Sequence, residues 1–159
     1  ALTGHLVFST LHTNDSPSTI ARLVDMGIPP FLVASSLLLV LAQRLARRVC
    51  RECREPYEAD EESLVPYGHR PIGLGAVRFY RARGCQVCHF TGMKGRVAIY
   101  EVMPISQTIR DLIVRGASTA DLRAAAQDLG MKTLRQAALF KALEGTTTVD
   151  EALRVTVAD

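Results

Sequence analysis

The sequence holds no Gly-x-x-x-x-Gly-Lys-[Ser/Thr] stretch. Its nearest approach, Thr91-Gly-Met-Lys-Gly95, is too short and lacks the closing hydroxyl, so these residues alone offer no phosphate cradle. A long apolar run is also missing. The most apolar stretch, Phe31 to Ala42, falls short of the roughly 20 residues a membrane span needs, and arginines follow it. The opening Ala-Leu-Thr-Gly-His has no basic segment, cleavage pattern or initiator Met, so the expectation is a piece of a longer, non-secreted protein. Lysine occurs only at Lys94, Lys132 and Lys141, and the formal charge of +3 is too mild to argue for nucleic acid. No internal repeat or low-complexity tract is present. Nor is there a serine or cysteine triad, because every cysteine belongs to another pattern.

That pattern is two identical pairs, Cys50-Arg-Glu-Cys53 and Cys85-Gln-Val-Cys88, with no cysteine left over. Two residues between cysteines let both sulfurs turn to one point, and two such knuckles supply four thiolates for a tetrahedral Zn²⁺. The competing account is four structural cysteines that happen to be spaced in pairs. A reducing cytosol favours metal over disulfides. Four thiolates would close the coordination sphere, which makes the site structural and not catalytic. Gly92 is placed to take a left-handed turn that aims backbone N–H groups at sulfur. His69 and His89 are alternatives to a cysteine as ligands, but each reads better as a solvated loop residue.

With 48% hydrophobic residues the chain can bury a core, and its length suits one domain or part of a larger one. Leu6 to Leu11 reads as a strand covered on both faces. His12-Thr-Asn-Asp15 closes it, Ser16 serves as N-cap and Pro17 as first helical residue, and Ile20, Leu23 and Val24 form the apolar stripe. Gly27 and Pro29-Pro30 end that helix, and a second is expected from about Phe31 to Arg48. Prolines and glycines break the middle segment, which carries one strand at Val77 to Arg81. A further strand spans Arg96 to Val102, with Val97, Ile99 and Glu101 on one face. From Ser106 onward the reading is short helices in a compact bundle, punctuated by Gly116, Gly130 and Gly145. The pairs Ser118/Asp121, Thr133/Gln136 and Thr148/Glu151 mark helix starts.

His12 lies beyond the carboxyl end of the first expected strand and before a helix N-terminus, where α/β sheets bind ligands. A phosphate role and an ordinary loop histidine are equally open at that point; His5, taken alone, is an ordinary histidine. The arginines from Arg44 to Arg54 alternate with Glu52, Glu55 and Glu58, which reads as a mixed solvated surface or subunit interface rather than a nucleic-acid patch.

The stretch Thr3-Gly-His-Leu-Val-Phe-Ser-Thr-Leu-His-Thr-Asn14 resembles the histidine box of the secretion ATPases, the motors of type II secretion and type IV pilus assembly. The resemblance continues through Arg22 to Gly27, Gln43-Arg44-Leu45, the two knuckles, Thr91 to Arg96 and Ile99-Tyr-Glu-Val102. It implies an α/β fold: residues 1–49 as the last part of a RecA-like core, 50–95 as a tetracysteine zinc module, and 96–159 as a return strand and helical C-terminal subdomain. It further implies that His5 and His12 are catalytic, with His12 nearer the γ-phosphate, and that Arg96 lies near nucleotide or the subunit interface. Cys50, Cys53, Cys85 and Cys88 match the zinc ligands of the extension motors. ATP and Mg²⁺ belong to the intact protein, whose P-loop would precede Ala1. The implied partners are five further copies in a hexamer, a polytopic inner-membrane platform protein and other cytoplasmic secretion components. The implied location is the cytoplasmic side of the inner membrane. The alternative is a non-enzymatic zinc-ribbon adaptor, which accounts for the knuckles but not for the polar string after the first strand. A thiol redox protein built on Cys-x-x-Cys stands third.

Overall fold

The computed structural model describes residues 3–156. The chain divides into two compact units, one of residues 1–42 and 101–133, the other of 43–100 and 134–159. Its elements, in order, are α1 (Ser16–Asp25), α2 (Pro30–Ser36), β1 (Leu39–Val49), β2 (Arg54–Asp60), β3 (Ala76–Ala82), β4 (Met93–Pro104), α3 (Gln107–Val114), α4 (Thr119–Asp128), α5 (Leu134–Leu143) and α6 (Val149–Val155). Two short 3₁₀ turns, Glu61–Tyr67 and Gln86–Cys88, complete the list. The fold is mixed α and β, as expected, with two two-stranded sheets, β1 with β4 and β2 with β3.

In the first unit, α1 is capped one residue earlier than the sequence suggested. The Asp15 carboxylate accepts the Ser18 N–H at 2.7 Å, so Ser16 is already helical. Gly27 at φ +87° ends the helix where predicted. Ile20 is buried and packs with Val33, Ala34, Val40, Met103, Ile109, Ile113, Leu122 and Met131, while Leu23 and Val24 line the edge of that core. Residues 6–11 are not a strand: Leu6, Val7 and Phe8 are exposed, and no described segment pairs with them. Extended backbone becomes a strand only with a hydrogen-bonding partner.

The long second helix is also replaced. It stops at Ser36, and residues 39–49 form β1. The Ile105 N–H donates to the Leu38 carbonyl and the Cys50 N–H to the Gly92 carbonyl, so β1 and β4 run antiparallel. On β4 the expected face is buried at Ile99 and Glu101, joined by Met103, while Val97 is half-buried. The helices after Ser106 do not form one bundle: α3 and α4 belong to the first unit, α5 and α6 to the second.

In the second unit, β2 and β3 make an antiparallel hairpin with Tyr57 opposite Phe79 and Arg54 opposite Ala82. Phe79 is buried beneath it, and Arg54 stacks on Tyr80. The hairpin loop is folded around a buried carboxylate–imidazole contact that nothing in the sequence pattern announced. His69, expected in solvent, is buried and lies edge-on to Phe140 of α5. Its Nε2 sits 2.7 Å from Glu61, whose carboxylate also accepts the N–H groups of Ile72 and Leu74. Burial opposes ionisation of Glu61, but those three donors outweigh it and hold its pKa at about 2.

Candidate metal centre

The four cysteines converge at the base of the β2/β3 hairpin. Cys50 follows the last residue of β1, and a three-residue turn carries Cys53 to the start of β2. Cys85 caps the 3₁₀ turn Gln86–Cys88, after which His89 and Phe90 both take positive φ. Gly92, at φ +70°, then turns the chain into β4. Its carbonyl accepts the Cys50 N–H at 2.9 Å, which locks the two knuckles together. A Cβ at Gly92 would stand 2.6 Å from that of Ala82, so glycine is required both for its backbone angle and for the close approach.

All four Sγ atoms lie within 4.8 Å of one another. Cys53 and Cys88 are 3.8 Å apart, as are Cys85 and Cys88. Zinc–sulfur bonds of about 2.3 Å in a tetrahedron place sulfurs about 3.8 Å apart, whereas a disulfide needs about 2.0 Å. The cluster therefore fits a metal ion and not crosslinks, and all four thiols are free. Backbone donors already face the sulfurs: Gly84 N–H to Cys53 at 3.3 Å, and Cys85 and Gly92 N–H to Cys88, each at 3.2 Å. The Gly92 donor is the one anticipated from sequence. Burial and neighbouring thiols push the Cys53 thiol up to about 12. Burial also works against the Cys88 thiolate, but the Cys85 and Gly92 donors and neighbouring thiols overcome it and bring Cys88 to about 6.

Among the described residues this is the one group of three or more His, Cys, Asp or Glu side chains able to hold a metal. His5, His12 and Arg96 stand outside it, and each is exposed. His5 lies 3.3 Å from the Thr3 hydroxyl. The residues just after His12 are held firmly. Asp15 forms an ion pair with Arg123 of α4, and the Ser16 N–H donates to the buried Glu101 of β4 at 2.7 Å. A second carboxylate, Glu151, is buried at the start of α6 and is forked by Arg47 and Arg154. Burial raises its pKa, but the two guanidiniums and the Arg47 N–H pull it down to about 2. The sequence marked Glu151 only as the partner of Thr148, whose hydroxyl does accept the Glu151 N–H. The sign available beforehand was an acidic residue on an apolar face, visible at Glu101 but not read as an anchor.

A family model described as "Type II/IV secretion system protein" matches residues 1–154. The chain is 51% identical, over its whole length, to the type IV pilus assembly ATPase PilB of Myxococcus xanthus, and covers 28% of that protein. It is 45% identical over 99% of its length to PilB of Thermus thermophilus, covering 18% of it. To type II secretion system protein E of Pseudomonas aeruginosa it is 48% identical over 98% of its length, covering 30%. The chain therefore spans less than a third of each of these relatives.

Proposed function

Because the chain belongs to the type II/IV secretion system protein family, we propose that it is the C-terminal portion of a hexameric ATPase powering pilus assembly or protein secretion. The observation that carries this reading is the family match along almost the entire chain. In it, residues 1–49 complete a RecA-like core whose P-loop, with its ATP and Mg²⁺, lies on a preceding segment. His5 and His12 are catalytic, with His12 nearer the γ-phosphate, and Arg96 lies near nucleotide or a neighbouring subunit. The motor sits at the cytoplasmic face of the inner membrane and drives a polytopic platform protein.

Cys50, Cys53, Cys85 and Cys88 hold Zn²⁺, supported by the sulfur spacing and the aimed N–H donors. Zinc bound by four thiolates has no open position and supplies only a crosslink. This chain's residues do the rest: the knuckles fix the base of the hairpin, and the Glu61 anchor folds its far loop. The hairpin is then a stiff projection able to pass domain motion to the platform protein.

The test uses the full-length polypeptide that carries this segment. Metal analysis should find one zinc per chain, and ATP hydrolysis should be measurable, while the 159-residue piece alone turns over no ATP. Cys85→Ser should lose most of the zinc and, in cells, pilus assembly or secretion. Assembly or secretion at the normal rate by zinc-free protein would sink the coupling role. An intact protein without ATPase activity would sink the motor.

A further inference from the structure

The turn that carries His12 is fastened from behind. Ser16, the first residue of α1, is completely buried. Its N–H is one of the orphan donors of a helix start, which the capping side chain or water ordinarily serves. Here a carboxylate 85 positions away takes it: Glu101 Oε1 at 2.7 Å. The Ser16 hydroxyl adds a bond to the Glu101 carbonyl at 3.2 Å. Glu101 is 1% exposed, on the buried face of β4 with Ile99 and Met103. Burying a carboxylate is costly unless its bonds are strong and well placed, and an exposed helix start needs no such partner. The positive end of α1 offsets part of that cost.

Two further ties act within three residues. Asp15 caps α1 through the Ser18 N–H and pairs with Arg123 of α4. The Thr13 hydroxyl lies 2.8 Å from that of Thr19, whose hydroxyl in turn donates to the Asp15 carbonyl. Residues 13, 15 and 16 are therefore referenced to α1, to α4 and to Glu101 in the last part of β4, all within the first unit, while His12 itself is exposed to solvent. Such an arrangement sets the position of one exposed side chain against the core of the unit.

We propose that Glu101 is a positioning residue: through Ser16 it fixes the His12 turn relative to β4, so that the imidazole is presented in a single place to the γ-phosphate. Arg123, through Asp15, does the same from α4. The inference rests on the reading above that His12 meets ATP. Catalysis punishes small misplacements heavily, a shift of about 1 Å costing up to about a hundredfold, so these contacts act on rate more than on binding.

The experiment is steady-state ATP hydrolysis by the full-length polypeptide, with zinc content followed alongside. Glu101→Ala should lower kcat about tenfold or more, change KM for ATP less than about twofold, and leave zinc bound. Glu101→Gln keeps an oxygen for the Ser16 N–H and should return kcat to within about threefold of the parent. His12→Ala should lose at least as much, and the double variant should be no slower than His12→Ala alone, because Glu101 acts through His12. A buttress without a positioning role would give additive losses, which would overturn the proposal. So would an unchanged kcat in Glu101→Ala beside an impaired His12→Ala. If Glu101→Ala does not fold, Arg123→Leu decides by the same criterion of non-additivity with His12→Ala. An active His12→Ala would refute the ATP-facing role of His12 itself, a different result from either of these.

Discussion

Glu61 shows how one side chain can organise a loop. A carboxylate has about four acceptor positions, and Glu61 fills three of them with His69 Nε2 and the N–H groups of Ile72 and Leu74. That arrangement ties the stretch after the 3₁₀ turn Glu61–Tyr67 back to the start of that turn, so the segment between β2 and β3 is held by side-chain bonds as well as by its own backbone. It also ties stability to pH. The Glu61 pKa is about 2 in the folded chain and Glu151 shares that value, both below the ordinary 4.5. A depressed carboxylate contributes stability that is present above the unfolded pKa and is lost as pH falls through the folded one. Melting temperature should therefore be nearly flat from pH 7 to about 5 and decline between about 4.5 and 2. Glu61→Gln should melt lower at neutral pH yet show a shallower acid decline, since one contributor is gone while Glu151 and Asp15, whose carboxyl is also held below its ordinary value, remain. Scanning calorimetry across that range checks it, and an unchanged acid slope would show that Glu61 is not a source of the decline.

At the scale of elements, the instructive case is β1. Leu, Ala and Arg are good helix formers, and residues 37–48 read helical on composition. The structure makes 39–49 a strand because β4 offers it a ladder, and pairing overrides weak local preference. The alternation is visible afterwards: Val40 and Ala46 are buried, whereas Leu39, Leu41 and Leu45 are each about half exposed. Three leucines on the open parity hid it. Where backbone chemistry dictates the outcome, the sequence was legible: Gly27, Gly116 and Gly130 end their helices, Ser118 and Asp121 form the capping box, and the knuckles meet. Long-range polar anchors such as Glu61–His69 and Glu101–Ser16 were not, since nothing local names a partner 8 or 85 residues away. The strand assignment makes a sharp distinction between neighbours. As a helix, the stripe Leu38, Leu41, Leu45 would be the buried one; as a strand, Ala46 is. In the 159-residue chain, Leu45→Glu should cost less than about 1 kcal/mol, and Ala46→Glu should be among the severe core substitutions, above about 3 kcal/mol. Urea titration of the two variants checks this, and the reverse order would restore the helix.

For the molecule as a whole, the distribution of thiols decides how it responds to loss of metal. All four cysteines lie in residues 43–100, and the core built from Ile20, Val33, Met103, Ile109 and Leu122 contains none. Zinc would bind only the folded knuckles with full affinity, so the second unit should gain stability as RT ln(1 + [Zn²⁺]/Kd), about 1.4 kcal/mol for each tenfold rise in free metal above Kd. The first unit has no such linkage. Chelation should then accelerate amide exchange at Gly84, Cys85, Cys88 and Gly92, whose N–H groups face sulfur or the 3₁₀ turn, and along the β2/β3 ladder they anchor. Amides of α1, α3 and α4 should keep their protection. Exchange mass spectrometry before and after removal of zinc tests the division. Equal loss of protection in both units would mean that the chain unfolds as one cooperative body and that the crosslink stabilises all of it. Selective loss would confine the metal's effect to the knuckles and the β2/β3 hairpin, and would leave the unit carrying His12 to be held by its own core and by Glu101.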